Sequence, residues 1–224
     1  LLSMPGGLEL TAAAVESTQE AEQSAVQLVD NEYELIFTNF GRTVAGYTGT
    51  PVDVTVPDGV TTIGSGAFQS CESLISLTLP DSLETLGESA FSGCTALESV
   101  TFGSGLKLIG STAFSDCTSL KHVDLPGGDI SWGFRIFQNS GLSTVTFPED
   151  MTELPEALFM GSAVESMVIP DGVQYIGPSS FSGCQALREV VIPDSVTRIA
   201  GSAFYNSGLE TITLSSKLQI IEGS

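Results

Sequence analysis

His122 and Asp124 have side chains that could act together in catalysis. They lie two positions apart in an alternating segment, so both would point to the same exposed face of a strand. With a nearby serine they would imitate the acid, base and nucleophile of a hydrolase. Serine and threonine dominate that face in any case, and no CxxC, HExxH, GxSxG or phosphate-loop motif is present. The sequence therefore favours a non-enzymatic protein with no metal site and no cofactor.

The four cysteines are informative through their spacing. Cys71, Cys94 and Cys117 are 23 residues apart, and Cys184 has a similar sequence around it. Phenylalanines and prolines recur at intervals of 22 or 23 residues with one gap in the proline series: Phe68, Phe91, Phe114, Phe137, Phe159, Phe181 and Phe204, and Pro57, Pro80, Pro126, Pro148, Pro170 and Pro193. Such a period is the signature of a repeat architecture.

The repeats predict a solenoid. They run 58–80, 81–103, 104–126, 127–148, 149–170, 171–193 and 194–215, and a truncated eighth begins at Ser216. Each ends in an alternating segment, which is followed by proline in five of the seven, as in Leu77-Thr-Leu79-Pro80; this is typical of a short half-buried strand. The middle segment, such as 64–71, is too short for a full helix and predicts a single helical or 3₁₀ turn. Because a unit of this size cannot bury its apolar face alone, neighbours must stack.

The predicted fold class is therefore a right-handed leucine-rich-repeat solenoid. Short parallel strands should line its concave face, and loops with single helical or 3₁₀ turns its convex face. In this arrangement the cysteines share one inward-facing column beside phenylalanine, with Ser140, Ser162 and Ser207 in the same place elsewhere. Stacked side chains point the same way, so we predict free, buried thiols and no disulfides.

Acidic residues follow the strand in five repeats. They are Asp58, Asp81, Glu149, Asp171 and Asp194. Stacked carboxylates could hold Ca²⁺. The alternative is that these are turn residues whose side chains bond their own backbone. The turn interpretation is favoured because Ser104 and Gly127 interrupt the column.

The outward positions of the predicted strands are the candidate binding surface. Nine of the fourteen are Ser or Thr, which is equally consistent with a β-branched ladder that binds nothing. Residues 122–191 are the more varied stretch. The candidate binding residues are His122, Asp124, Thr144, Thr146, Ser166, Val168, Glu189 and Val191.

The repeat resembles that of a known family. Residues 77–97, whose pattern is LxLPDSLETLGESAFSGCTAL, closely resemble the unit of BspA-like leucine-rich-repeat proteins, and the match covers about residues 52–224. The resemblance implies a bacterial protein that is secreted or displayed at the cell surface. It also implies a binding role, such as adhesion to a host protein, matrix or glycan. The alternative is a passive spacer or stalk that presents another domain encoded beyond residue 224.

The ends of the chain predict two further segments. Residues 1–30 lack the repeat, and we interpret them as a leader, either the remnant of a signal peptide or a partly helical segment. Residues 31–57 read as a β-hairpin followed by a strand, which should form an N-terminal β cap on the first repeat. The solenoid itself should occupy residues 58–224.

The net charge of −20 limits the partners. An acidic surface repels phosphate backbones, so nucleic-acid binding is excluded. No apolar run is long enough to span a membrane. Only Asp124 and Glu189 bring acid to the exposed strand positions, so the charge keeps the solenoid soluble and does not predict a basic partner. We expect an extracellular protein or glycan partner and a monomer or weak oligomer.

Overall fold

The computed structural model describes the backbone of Val26–Gln27 and residues 33–223. Its strands, in chain order, are β1 (Val26–Gln27), β2 (Tyr33–Thr38), β3 (Thr43–Gly49), β4 (Asp53–Thr55), β5 (Thr62–Ile63), β6 (Ser76–Thr78), β7 (Thr85–Leu86), β8 (Ser99–Thr101), β9 (Leu108–Ile109), β10 (His122–Asp124), β11 (Ser131–Trp132), β12 (Thr144–Thr146), β13 (Glu153–Leu154), β14 (Ser166–Val168), β15 (Tyr175–Ile176), β16 (Glu189–Val191), β17 (Arg198–Ile199), β18 (Thr211–Thr213) and β19 (Ile220–Ile221).

The strands form two ladders that run along a solenoid. The odd-numbered strands from β5 to β19 make the first ladder, and the even-numbered strands from β4 to β18 make the second. Pairing is parallel and shifted by one repeat, with Thr62 opposite Thr85 and Ser76 opposite Ser99. The second ladder confirms the predicted strands. The sequence did not predict the first ladder, because a strand of two residues is too short to show an alternation.

The predicted helical turns are absent from the described residues. A turn wall, for which residues 64–71 are an example, joins the first ladder to the second. The N–H groups there alternate between two kinds of partner. One set closes four-residue β-turns, as Cys71 N does by donating to Phe68 O, and the other donates to the next repeat, as Phe68 N does to Ala90 O at 2.8 Å. Two residues of each turn wall, such as Gly66 and Ser70, have positive φ, which breaks any helical run.

A stack of aromatic rings forms the centre of the core. Six phenylalanines of the column are fully buried, and each ring lies nearly parallel to the next, with centroids 5.0 Å apart between Phe68 and Phe91. Tyr47 extends the stack, with its centroid 5.2 Å from that of Phe68. Each repeat therefore contributes one ring to a continuous offset stack, which holds neighbouring repeats in register.

The predicted hairpin is present before the first repeat. β2 pairs antiparallel with β3, and Thr43 and Val44 of β3 pair in parallel with Thr62 and Ile63 of β5. β1 adds antiparallel to β2, so two residues of the predicted leader are extended; the rest of that segment lies outside the described residues. Whether this hairpin caps the solenoid stays a prediction.

Repeats 127–148 and 149–170 separate more than their neighbours do. β11 is not paired with β13, and β12 is not paired with β14, so within the described strands both ladders are interrupted between these two repeats. The ring centroids of Phe137 and Phe159 are 6.1 Å apart, the widest step in the stack. On the turn wall the repeats stay bonded, as Phe137 N donates to Leu158 O at 3.0 Å.

Pro155 explains the break in the first ladder. The residue at this position donates its N–H to the preceding repeat elsewhere, as Gly133 N does to Ile109 O at 2.8 Å and Gly177 N to Leu154 O at 2.9 Å. Proline has no N–H to donate. The approach is also close, because a Cβ on Gly177 would lie 2.4 Å from Leu154 O. The ring of Pro155 therefore removes a hydrogen bond and holds the two repeats apart.

Candidate functional site

The second ladder presents a row of outward side chains, which we call the strand face. In the three-residue strands from β4 to β16 the middle side chain packs in or against the core, as Val123, Met167 and Val190 do, and the two flanking side chains point outward. Of the eight predicted binding residues, seven are exposed and Val191 is half-buried. Register places His122 beside Thr144, Asp124 beside Thr146, Ser166 beside Glu189 and Val168 beside Val191.

His122 is the centre of a hydrogen-bonded group that spans two repeats. Its Nδ1 lies 2.8 Å from Thr144 Oγ1, and its Nε2 lies 3.1 Å from Asp124 Oδ1 and 3.5 Å from Thr146 Oγ1. A carboxylate only accepts, so Nε2 carries the proton that it donates to Asp124. In the neutral ring Nδ1 then accepts the hydroxyl proton of Thr144. The imidazole is thereby held in one orientation between β10 and β12.

The same contacts set the charge of Asp124. Hydrogen bonds from Thr146 and from His122 lower the pKa of this carboxyl, because they stabilise its ionised form. The group remains open to solvent, with 75% of the Asp124 side chain and 49% of the His122 side chain exposed. A water-filled setting of this kind lacks the exclusion of solvent that strengthens electrostatic catalysis. The arrangement is therefore better suited to hydrogen bonding with a partner than to nucleophilic chemistry.

The predicted binding residues fall into two groups, because the ladder is interrupted between β12 and β14. The first group is the His122 cluster with Thr144, Thr146 and Asp124. The second contains Ser166, Glu189, Val191 and Val168, whose side chain is 69% exposed. The first group is polar, whereas the second presents two valines beside a carboxylate and a hydroxyl. The strand face also includes Asp53 and Thr55 of β4, at the N-terminal end of the second ladder. The alternation of apolar and polar residues over 52–56 is the sequence feature that indicates these two outward positions.

The acidic column makes hydrogen bonds between repeats. Asp81 Oδ1 accepts from the backbone N of Ser104 at 2.8 Å and from its hydroxyl at 3.0 Å, and Asp194 accepts in the same way from Ser216. The expectation that these carboxylates bond their own backbone is wrong for both, since each bonds the first residue of the next repeat. In the part of the chain that the structure describes, no three potential ligand side chains are grouped to hold a metal ion.

The cysteine column matches the prediction. All four thiols are free and buried. Cys94 donates to Phe68 O at 3.2 Å, Cys117 to Phe91 O at 3.2 Å and Cys184 to Phe159 O at 3.0 Å. These three thiols thus bond the backbone of the preceding repeat, which is a structural role, while Cys71 Sγ lies 3.5 Å from Ser73 Oγ of its own repeat.

Comparison with solved structures supports this fold. A leucine-rich-repeat protein from Bacteroides ovatus is 23% identical, with a TM-score of 0.62 over 88% of this chain and 61% of that protein. The leucine-rich-repeat protein of T. pallidum is 24% identical, with a TM-score of 0.56 over 89% of this chain and 86% of that protein. The pneumococcal vaccine antigen PcpA is 15% identical, with a TM-score of 0.53 over 88% of this chain and 48% of that protein.

The chain thus spans about three fifths of the length of the Bacteroides ovatus protein (61%). No protein of curated function matches the sequence. Within the described residues, none of the chain forms a helix of the length and apolarity that crossing a membrane requires. The sequence model described as a BspA type leucine-rich-repeat region matches six copies over residues 47–164 and 152–224. These matches include the columns of phenylalanine, cysteine and proline described above, and the chain belongs to the BspA-type leucine-rich-repeat family.

Proposed function

We propose that this chain is an exported, non-enzymatic binding protein that contacts an extracellular protein or glycan through the strand face between β10 and β16. Adhesion to a host protein, matrix or glycan is the role that the family favours, since BspA-type repeats often belong to surface proteins and are generally non-enzymatic. Within the strand face, residues 122–191 are the stretch in which the outward side chains vary most.

The observation that carries the proposal is the ordered His122 group. Its imidazole is held by two side-chain hydrogen bonds although it lies at the surface. A surface group that is already ordered loses little conformational entropy when a partner binds. Hydroxyl, carboxylate and imidazole groups within this cluster can donate and accept hydrogen bonds, which suits sugar hydroxyls and protein backbone alike. The exposed side chain of Val168 on the neighbouring group adds an apolar contact.

Binding is tested with the full chain on a panel of matrix proteins, mucin and glycan arrays. We expect saturable binding to at least one member. Thr146→Glu and Val168→Glu place bulk and charge in the two groups and should weaken that binding at least tenfold. Thr101→Glu on β8 makes the same change on the same ladder outside the groups, and it should leave binding unchanged.

Two results would count against this function. Binding that is lost equally with Thr101→Glu would move the site away from β10 to β16. No binding to any member of the panel would favour the alternative, a passive spacer that presents another domain. The regular Ser and Thr positions of β6, β8 and β18 are consistent with such a spacer.

A further inference from the structure

A cleft opens on the side of the first ladder, where repeats 127–148 and 149–170 separate. Its volume is about 440 Å³, which is within the range of small-molecule sites. The residues that define its chemistry are Asp129, Ile130, Trp132, Asp150, Met151 and Glu153. It lies between β11 and β13, whereas the strand face belongs to the second ladder.

The cleft is built by the break at Pro155. Because Pro155 donates no N–H to Trp132 O, β13 does not pair with β11 and the edge stays open. The turn wall and the aromatic stack continue across the same two repeats, so the opening is confined to one side. A rigid scaffold on either side therefore holds the walls of the cleft.

One aromatic and two aliphatic side chains line the cleft. The half-buried Trp132 lines the cleft in place of the aliphatic residues Ile63, Leu86 and Ile109 found at this position in preceding repeats. Ile130 and Met151 are buried beside it, with 8% and 6% of their surface exposed. Tryptophan is the aromatic side chain that attracts cations most strongly through its ring face.

Charge in this region is of one sign. Asp129, Asp150 and Glu153 are exposed at the cleft, and no Lys or Arg lines it. Asp150 is fixed, because its Oδ2 accepts from Gly128 N at 2.7 Å. Across residues 127–170 the only base is Arg135, whose guanidinium lies over the ring of Phe134. The acids of the cleft therefore have no cationic side chain among its lining residues, and the field there attracts a cation.

We propose that this cleft binds an organic ammonium cation, with the alkyl groups against Trp132, Ile130 and Met151 and the charge facing Asp129, Asp150 and Glu153. The three carboxylates repel an anion. A neutral apolar molecule would gain only the apolar contacts and would leave the three carboxylates at its edge without a charged partner. An aromatic wall with carboxylates is the arrangement that selects alkylated ammonium groups over Na⁺ or K⁺, which are strongly hydrated.

Fluorescence offers a direct test, because Trp132 is the only tryptophan of the chain. Titration of the full chain with tetramethylammonium chloride should give a saturable change in emission. NaCl at equal ionic strength and tert-butanol, which is similar in shape and neutral, should give none. A second titration, with Nα-acetyl-lysine amide, shows whether a free quaternary ammonium or the lysine of a partner is bound more tightly. A lack of saturation with both ammonium probes, or an equal response to tert-butanol, would overturn the proposal.

Two variants locate the site. Glu153→Gln should weaken binding at least fivefold, and Glu98→Gln, which removes an exposed acid from a distant repeat, should not. Pro155→Gly restores the residue type and N–H found in most repeats, so it should close the cleft and weaken binding more than tenfold while circular dichroism stays unchanged. Equal weakening by Glu98→Gln would reduce the effect to net charge and contradict a site.

Discussion

At the scale of single residues, the cysteine column shows how a stacked core accommodates a small polar group. Each of these cysteines lies three positions after a phenylalanine of the aromatic stack. The thiols of Cys94, Cys117 and Cys184 donate to backbone carbonyls of the preceding repeat. Burial raises the pKa of Cys117 to about 12, and the pKa of Cys94 and of Cys184 is raised for the same reason. The thiolate, which is the reactive form, is therefore scarce in the folded protein.

We expect these thiols to be unreactive in the native state. At pH 8 a pKa of about 12 leaves about one Cys117 in ten thousand as thiolate. Reaction with Ellman's reagent should be slow and should follow global unfolding, and all four thiols should react at once in guanidinium chloride. Rapid stoichiometric labelling of the folded protein would contradict this description of the core.

Ser140 should respond to mutation in the opposite sense to Ser207. The Ser140 hydroxyl is buried with no hydrogen-bond partner, whereas that of Ser207 donates to Phe204 O at 2.8 Å. Removing an unsatisfied buried hydroxyl relieves its desolvation cost, so Ser140→Ala should raise the free energy of unfolding by about 1 kcal/mol. Ser207→Ala should lower it by about 1 kcal/mol. Urea denaturation of both variants measures these changes in the free energy of unfolding. A loss of stability in Ser140→Ala would show that the Ser140 hydroxyl has a hydrogen-bond partner.

At the scale of elements, neighbouring repeats are joined by contacts that depend on close approach. Pro155 interrupts the first ladder, whereas the ladder forms where this column holds a residue with an N–H to donate, as Gly177 and Ala200 do. Two acidic residues that follow a strand contribute a further link, since Asp81 accepts two hydrogen bonds from Ser104 and Asp194 accepts two from Ser216. These links repeat along the solenoid, so one substitution tests a class of contacts.

Gly87→Ala should destabilise the solenoid by about 1–3 kcal/mol, as overpacking does elsewhere. A Cβ at Gly87 would lie 2.5 Å from Ser65 N, and backbone cannot move aside cheaply. Gly46→Ala is the matched control, since its nearest atom would be 3.8 Å away. Thermal denaturation of both variants measures the difference. Equal midpoints would show that the repeats can separate without loss of stability.

The Asp81 link should depend on pH. The backbone N–H of Ser104 lowers the pKa of Asp81 below its unfolded value, and the Ser104 hydroxyl adds to this shift. A lowered pKa stabilises the folded state above the unfolded value of about 3.9, and that contribution is lost as the pH falls through the folded pKa. Asp81→Asn should therefore lower the melting temperature at pH 7 but not at a pH below the lowered pKa. A constant offset in melting temperature for Asp81→Asn across this pH range would contradict the linkage.

At the scale of the whole molecule, stability along a solenoid is the sum of repeat and interface contributions. Both ladders are interrupted between repeats 127–148 and 149–170, while the second ladder alone is interrupted between β8 and β10. The interface at residues 148–150 joins its repeats through the turn wall, the aromatic stack and the hydrogen bond from Gly128 N to Asp150 Oδ2, without strand pairing in either ladder. It is therefore the weakest step in the described solenoid and the place where the cleft forms.

Hydrogen exchange should reveal this step. Gln174 N donates to Thr152 O at 2.7 Å, and Thr197 N donates to Gln174 O at 3.0 Å. Thr152 N, at the equivalent position of its repeat, has no such acceptor because β13 does not pair with β11. We expect its amide to exchange at least tenfold faster than those of Gln174 and Thr197. Equal protection at the three amides would show that the first ladder is continuous.

Much of the fold follows from the sequence because repetition makes each column experience one environment. The phenylalanine column, the buried cysteines, the second ladder and its outward residues all recur at a fixed period, and each agrees with the structure. His122, Asp124, Thr144 and Thr146 could be placed on one face for the same reason, since the period of a strand is two. The family relationship rests on these same columns.

Other features depend on what one repeat offers to the next, and only the tertiary structure decided them. Each turn wall has two residues of positive φ, and alternate N–H groups along it donate to the adjacent repeat. The tolerance of Gly93, Asn139 and Asn206 for positive φ was a signal for this conformation. The first ladder consists of strands too short to leave a pattern. That Pro155 interrupts the first ladder can be seen only when the structure shows that the equivalent residues of other repeats donate a backbone N–H to the preceding repeat. By itself the sequence determined the column that each residue occupies, and tertiary packing decided where the columns separate, because separation depends on contacts between residues about 22 positions apart.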